Sequence, residues 1–147
     1  MKIINGDIFE VAKNKGIIMH QVNCCSVMSS GIALAFKNNY PQIYKVYERN
    51  CVEKGPEGVF GEFELVQLKD KLFGVNSYSQ LEFGTHKKQT DEHVLVENIY
   101  KLDELSKILE IPAYVPYLIG CALGGGDWNI IEEALKETSI IVVKFDK

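Results

Sequence analysis

The 147-residue chain is poor in the groups that cross-link small proteins. Its four cysteines, Cys24, Cys25, Cys51 and Cys121, include no C-x-x-C pair, and adjacent Cys24 and Cys25 bond to each other only under strain. This spacing gives neither a disulfide framework nor a zinc site, and predicts reduced, mostly buried thiols. No His/Asp/Glu cluster has metal-ligand spacing, so neither a metal nor a cofactor is expected. A basic excess is missing too: 16 Lys and Arg stand against 20 Asp and Glu, a formal net charge of −4. That argues against a nucleic-acid backbone as the main ligand, although local basic patches remain at Arg49 and Lys54 and across His86, Lys87 and Lys88. No apolar run approaches the ~18–20 residues that span a bilayer. The N-terminus enters a strand-like segment with no charged region, apolar stretch and cleavage site in sequence, so no membrane association and a cytoplasmic location are expected. With no repeat, low-complexity tract or linker, residues 1–147 are read as a single domain and, by default, a monomer.

What is present is the composition of an ordinary globular domain, with 46% hydrophobic and 24% charged residues, enough to bury one core. Strand and helix patterns alternate along the chain. Residues 2–5 and 16–23 read as strands, the second apolar nearly throughout, as for a strand covered on both faces. Residues 31–37 read as a short helix, and a second helix opens at Tyr40-Pro41 with Ile43, Val46, Tyr47 and Cys51 on one face. Gly55-Pro56-Glu57-Gly58 reads as a turn. Residues 63–68 and 71–78 form a predicted hairpin, and 80–89 a polar loop. Leu95, Ile99, Leu102, Leu105 and Leu109 mark a long helix that Pro112 ends. A strand over 113–118, a Gly-rich turn over 119–126, a helix over 128–136 and a strand over 140–145 complete the chain. The alternation implies a layered α/β domain with a mostly parallel sheet and one antiparallel hairpin.

Two loops carry the chemistry. The first follows the strand ending His20-Gln21-Val22-Asn23 and runs through small residues to Ser30, Gly31, Ile32 and Ala33. The second runs Gly120, Cys121, Ala122, Leu123, Gly124, Gly125, Gly126 and Asp127 into Trp128. Each passes from a strand end to a helix N-terminus, where backbone N–H groups and the positive helix end suit an anion. Together they fit two linked phosphates. Each feature also has a plainer reading. Such turns are rich in Gly and Ser for steric reasons. Asp127 stands where a helix N-cap belongs. His20 on an apolar strand fits a core histidine, Trp128 and Phe145 fit the core, and Asp7 fits a turn.

The order of these elements decides between the readings. Gly6-Asp7-Ile8 follows the first strand, H-x-x-N-C lies near residue 20, G-I-A-L-A-F-K follows it, and I-G-C-A-L-G-G-G-D-W falls near the end. On these residues the chain resembles the macrodomain family along nearly its whole length. It is similar to the branch that holds yeast ADP-ribose 1″-phosphate phosphatase, terminal ADP-ribose protein glycohydrolase and phage-encoded relatives. The resemblance implies a three-layer α/β/α fold with a mixed, mostly parallel central sheet, and ADP-ribose or ADP-ribose 1″-phosphate as ligand. It implies that Asp7 accepts a hydrogen bond from the adenine amino group, with Ile8 and Phe145 beside the base. Asn23 matches the residue at the distal ribose. Ser30, Gly31, Ile32 and Ala33 match the first phosphate loop, and Gly120, Cys121, Ala122, Leu123, Gly124, Gly125 and Gly126 the second.

The implied activity is hydrolysis of ADP-ribose 1″-phosphate to ADP-ribose and phosphate, with His20 and Asp127 sharing acid/base and orienting work and Asn23 holding the ribose. Which of the first two is the base stays open. The alternatives are an ADP-ribosyl hydrolase or O-acetyl-ADP-ribose deacetylase, and a reader that binds without turnover. The glycohydrolase relatives use a lysine in a T-K pair and an acid shortly after G-C-G-L. Here the corresponding region, Val75-Asn76-Ser77-Tyr78-Ser79-Gln80, holds no lysine, and Gly124, not an acid, follows Gly120-Cys121-Ala122-Leu123; Lys87 and Lys88 read as solvated, and His86 as a residue within reach of a ligand. Ser29-Ser30 in place of a glycine-containing pair, Ala122 in place of glycine and Leu118 in place of arginine are expected to alter the binding geometry slightly.

Overall fold

The side-chain pattern along each segment accounts for how the chain layers. The computed structural model describes residues 1–83 and 87–145. It runs β1 (Lys2–Asn5), α1 (Ile8–Val11), β2 (Lys15–Val22), α2 (Gly31–Asn39), α3 (Pro41–Val59), β3 (Phe63–Lys69), β4 (Lys71–Tyr78), α4 (Glu92–Leu109), β5 (Ala113–Pro116), α5 (Trp128–Lys136) and β6 (Ile141–Lys144). The six strands form one sheet in the order β1-β6-β5-β2-β4-β3. Every neighbouring pair is parallel except the β3–β4 hairpin.

Alternate residues of β2 face opposite layers. Ile17 and Met19 pack with Val115 and Val142 against Leu95, Ile99 and Leu102 of α4 and Ile131 and Leu135 of α5. Ile18 packs with Tyr114 and Val143 against Ile8 of α1, Phe36 of α2 and Ile43 of α3. The sheet is therefore the middle of three layers, as expected. Helix α4 is bounded as its sequence predicts, with Asp91 capping Val94 N–H and a left-handed Glu110 ending it before Pro112.

Two boundaries differ from the expectation. The Gly55–Gly58 turn is a kink: Gly55 adopts φ 74°, ψ 167°, and helical turns resume from Pro56 to the end of α3. Strand β5 ends at Pro116 instead of continuing to Leu118, because Leu118 is left-handed at φ 63° and turns the chain out of the sheet. Phe145 follows β6 as an exposed residue and is not core.

This topology fixes where a ligand sits. Adjacent strands β2 and β5 point the same way, but β2 leads to α2 on one face of the sheet and β5 leads to α5 on the other. A crevice opens where neighbouring connections part to opposite faces.

Candidate functional site

The first wall of the crevice is built round Asn23. Its Oδ1 accepts from the Tyr47 hydroxyl at 2.6 Å and the Cys25 N–H at 2.9 Å, and its Nδ2 donates to the Val27 carbonyl at 2.8 Å. One amide thus folds the loop and leads it to Ser30, which is extended at φ −155° and makes no side-chain cap. Gly31 then adopts φ 58°, a left-handed value open to glycine. The first N–H groups of an α-helix have no intrahelical acceptor, so those of Gly31, Ile32 and Ala33 are free for a ligand.

The second wall leaves β5. Its left-handed residues are Leu118, Gly120 and Gly125, at φ 63°, 72° and 73°. Ala122 is not among them, so alanine there carries no backbone strain, contrary to expectation. Gly124 is needed for space: a β-carbon there would stand 2.2 Å from Thr90 Oγ1. Among the described residues, the N–H groups of Ala122, Leu123 and Gly124 meet no hydrogen-bond acceptor. The two walls approach closely, since a β-carbon on Gly31 would lie 3.6 Å from Leu123 Cδ1. Between them is a cavity of about 540 Å³ lined by both loops and by Gln21, Asn23, Gln80, Phe83 and Tyr117.

A second cavity of about 500 Å³ adjoins it, sharing Gly31, Ile32, Pro116 and Tyr117. Its other walls include Asp7, Ile8, Phe9 and Phe145. Asp7 caps α1 by accepting from Phe9 N–H at 2.9 Å through Oδ1, which holds the carboxylate at the cavity edge. Apolar Ile8 beside an acceptor suits a flat heterocycle bearing an amino group. Tyr117 stands between the cavities, its ring against Trp128 at 5.2 Å and under the Lys144 ammonium at 5.0 Å.

The same architecture recurs in solved structures. A macrodomain protein from Streptomyces coelicolor covers 99% of this chain at a TM-score of 0.76 and 19% identity, with 99% of its own length matched. The macrodomain of Mycobacterium tuberculosis DarG covers 99% at 0.74 and 23% identity, with 97% of its length matched. The chain has the macrodomain fold. Thermosipho africanus DarTG, solved in complex with ADP-ribose, covers 99% of it at 0.73 and 21% identity, with 42% of that chain matched.

No protein-family model matches the sequence. Among curated proteins, this chain is 28% identical over 119 residues to a DNA ADP-ribosyl glycohydrolase of M. tuberculosis, covering 80% of the chain and 33% of that protein. It thus spans about one third of the mycobacterial relatives it matches. It is 26% identical over 169 residues to the ADP-ribose 1″-phosphate phosphatase of Meyerozyma guilliermondii, covering 97% and 95%. A 17.5 kDa protein of Enterobacteria phage T4 is 26% identical over 155 residues, covering 99% and 97%.

Set on this fold, the expected site residues divide. Asp7, Ile8, Asn23, Ser30, Gly31, Ile32, Ala33, Gly120, Ala122, Leu123, Gly124 and Phe145 line the two cavities. Cys121, Gly125 and Gly126 do not. Cys121 packs on the core, where burial pushes its thiol up to about 11, and Gly126 N–H is spent on Gly120 O.

His20 lies away from the crevice. It is fully buried on the α2 side of the sheet, 4.5 Å from the Phe36 ring, with Nε2 2.6 Å from Asn76 Oδ1. Burial holds its pKa down at about 4, against which the Asn76 hydrogen bond acts only in part. It lines neither cavity. Asp127 also lies away from the crevice. It is the exposed N-cap of α5, accepting from Asn129 N–H at 3.0 Å, while its own N–H donates to Glu92 Oε2 at 2.8 Å. It too is outside both cavities.

The sequence does not single out Gln21, Phe83 and Tyr117, and marks Gln80 only as the last residue of a segment without lysine. Lys88 pairs with Glu92 and Lys87 with Glu82, so both are bridged at the surface. His86 lies outside the described residues. Among the described residues, no group of three His, Cys, Asp or Glu side chains is placed to hold a metal, and no helix is long and apolar enough to cross a membrane.

Proposed function

We propose that the crevice binds ADP-ribose and that the protein hydrolyses ADP-ribose 1″-phosphate to ADP-ribose and phosphate. Adenine lies over Ile8 with its amino group on Asp7, the pyrophosphate lies between the two loops, and the distal ribose lies beside Asn23. The observation that carries this reading is the facing of two N–H-rich loops across a cavity that both line and that adjoins a second cavity reaching Asp7. The structure solved with ADP-ribose and the names of the yeast and mycobacterial relatives support it.

The lining also bears on the reaction. Among the described residues round the larger cavity there is no Asp, Glu, His, Cys, Lys or Arg side chain, and Tyr117 supplies the one phenol. In phosphomonoester hydrolysis, water bonds to phosphorus as the bond from phosphorus to O1″ breaks, and O1″ leaves with a proton. Its loose transition state calls for positioned donors more than for a strong base. The amides of Asn23 and Gln80, each with one N–H left after its bond to the Val27 or Glu82 carbonyl, and the loop N–H groups are such donors. Glycosidic cleavage passes through an oxocarbenium-like state that relatives steady with lysine and an acid; here the segment from Val75 to Gln80 holds no lysine, and Gly124 stands in place of the acid. A reader without turnover is the second reading, favoured by the removal of His20 and Asp127 from the cleft. Residues 1–147 act as one domain and a monomer under either.

The test is phosphate release from ADP-ribose 1″-phosphate beside calorimetric titration with ADP-ribose. Binding with stoichiometric release supports the phosphatase. Binding without release leaves the reader, and no binding of ADP-ribose rejects both.

A further inference from the structure

The second loop is wound round a single side chain from another part of the chain. Thr90, 4% exposed just ahead of α4, donates from Oγ1 to the Gly120 carbonyl at 2.6 Å and from its N–H to the Gly124 carbonyl at 3.1 Å. Gln89 N–H reaches the same Gly124 carbonyl at 2.9 Å. The Thr90 methyl lies 3.1 Å from β-carbons built on Gly120 and on Gly126, so only glycine lets the loop close on it. The hydroxyl is itself held: Gln21 Nε2 donates to it at 2.8 Å, and Gln21 Oε1 accepts from Ser79 Oγ at 2.7 Å. Both ends of the span from Gly120 to Gly124 are therefore pinned to one residue. The N–H groups of Ala122, Leu123 and Gly124 ride on that span and are left to the cavity.

We infer that Thr90 is the positioning residue for the diphosphate: it fixes the span so that these N–H groups are set before the ligand arrives, a role that rests on the ADP-ribose reading of the cleft. Donors set in advance cost no ordering on binding, and their geometry selects a ligand long enough to reach both loops. Thr90 touches no ligand in this account and acts through the loop. A packing role alone would lower all affinities together; a positioning role separates two linked phosphates from one.

The experiment compares ADP-ribose with AMP on the whole chain. Thr90→Val keeps the shape and removes the hydroxyl, and it is expected to weaken ADP-ribose about tenfold while AMP affinity stays within about twofold. Thr90→Ser restores the hydroxyl and the preference for ADP-ribose. Thr90→Ala, which adds no bulk, gives the same loss as Thr90→Val and serves if the valine variant does not fold. Equal losses for both ligands, or no loss for either, overturn the inference. Amide exchange at residues 89, 90 and 126, whose N–H groups bond the Gly124 and Gly120 carbonyls, measured without ligand, separates this from the function of the cleft. Faster exchange in Thr90→Val supports the pinning whether or not ADP-ribose binds, and unchanged exchange overturns it.

Discussion

His20 and Gln21 are neighbours in one strand with opposite surroundings. His20 sits against Phe36 and Asn76 on the closed face, and Gln21 opens on the cleft. Because burial holds His20 near 4, below its ordinary 6.5, the unfolded chain takes up this proton first as pH falls. Its contribution to stability is full above about 6.5, shrinks as pH falls toward 4 and changes no further below that. His20→Gln removes this titration. Chemical unfolding of the two proteins across that window should show the variant losing less stability than the wild type, with ADP-ribose affinity unchanged. Parallel losses, or loss of binding, would count against a purely structural His20. Asp127 allows a similar separation. Asp127→Ala removes a cap and should cost about 0.5–2 kcal/mol in thermal unfolding, leaving phosphate release intact. A fall in turnover without a fall in stability would return Asp127 to the chemistry.

At the scale of elements, the second loop makes the sharper prediction. Gly124→Ala drives a β-carbon into Thr90 Oγ1 and should cost about 1–3 kcal/mol of stability together with ADP-ribose affinity. Ala122→Gly should leave affinity unchanged, because Ala122 already has an ordinary φ. The reverse pattern in titrations would mean that the loop's backbone has been misread. These two residues also show what sequence could and could not convey. Glycines and small residues after a strand advertise a loop that approaches an anion, and the leucine spacing of α4 advertises a helix, because both signals are local. Which glycine needs a left-handed φ and which needs space depends on Thr90, some thirty residues away in the chain. Gln21 and Tyr117 likewise join the site through the fold. Strand β2 is buried on both faces, so its hydrophobic pattern carries no parity to tell His20 from Gln21. The Gly55–Gly58 segment reads as a turn because glycine and proline punctuate it, but one left-handed residue is enough to kink the helix and let it continue.

For the whole molecule, strand order matters more than any single residue. Placing β2 beside β5, with α2 and α5 on opposite layers, brings two loops separated by about ninety residues to one crevice. A ligand that bridges them ties the two layers together and binds only the folded state. Free ADP-ribose at 100 times its Kd should then raise stability by about 2.7 kcal/mol. Adenosine, which offers no phosphate to either loop, should raise it much less at the same concentration.

The most direct test of the central claim is a calorimetric titration of the protein with ADP-ribose, repeated with Asp7→Ala. Saturable binding near one ligand per chain, weakened by the substitution, is the predicted result and fixes both the phosphate crevice and the adenine end. No heat and no shift in melting temperature at millimolar ADP-ribose would contradict it, and the two loops would be turns without a ligand.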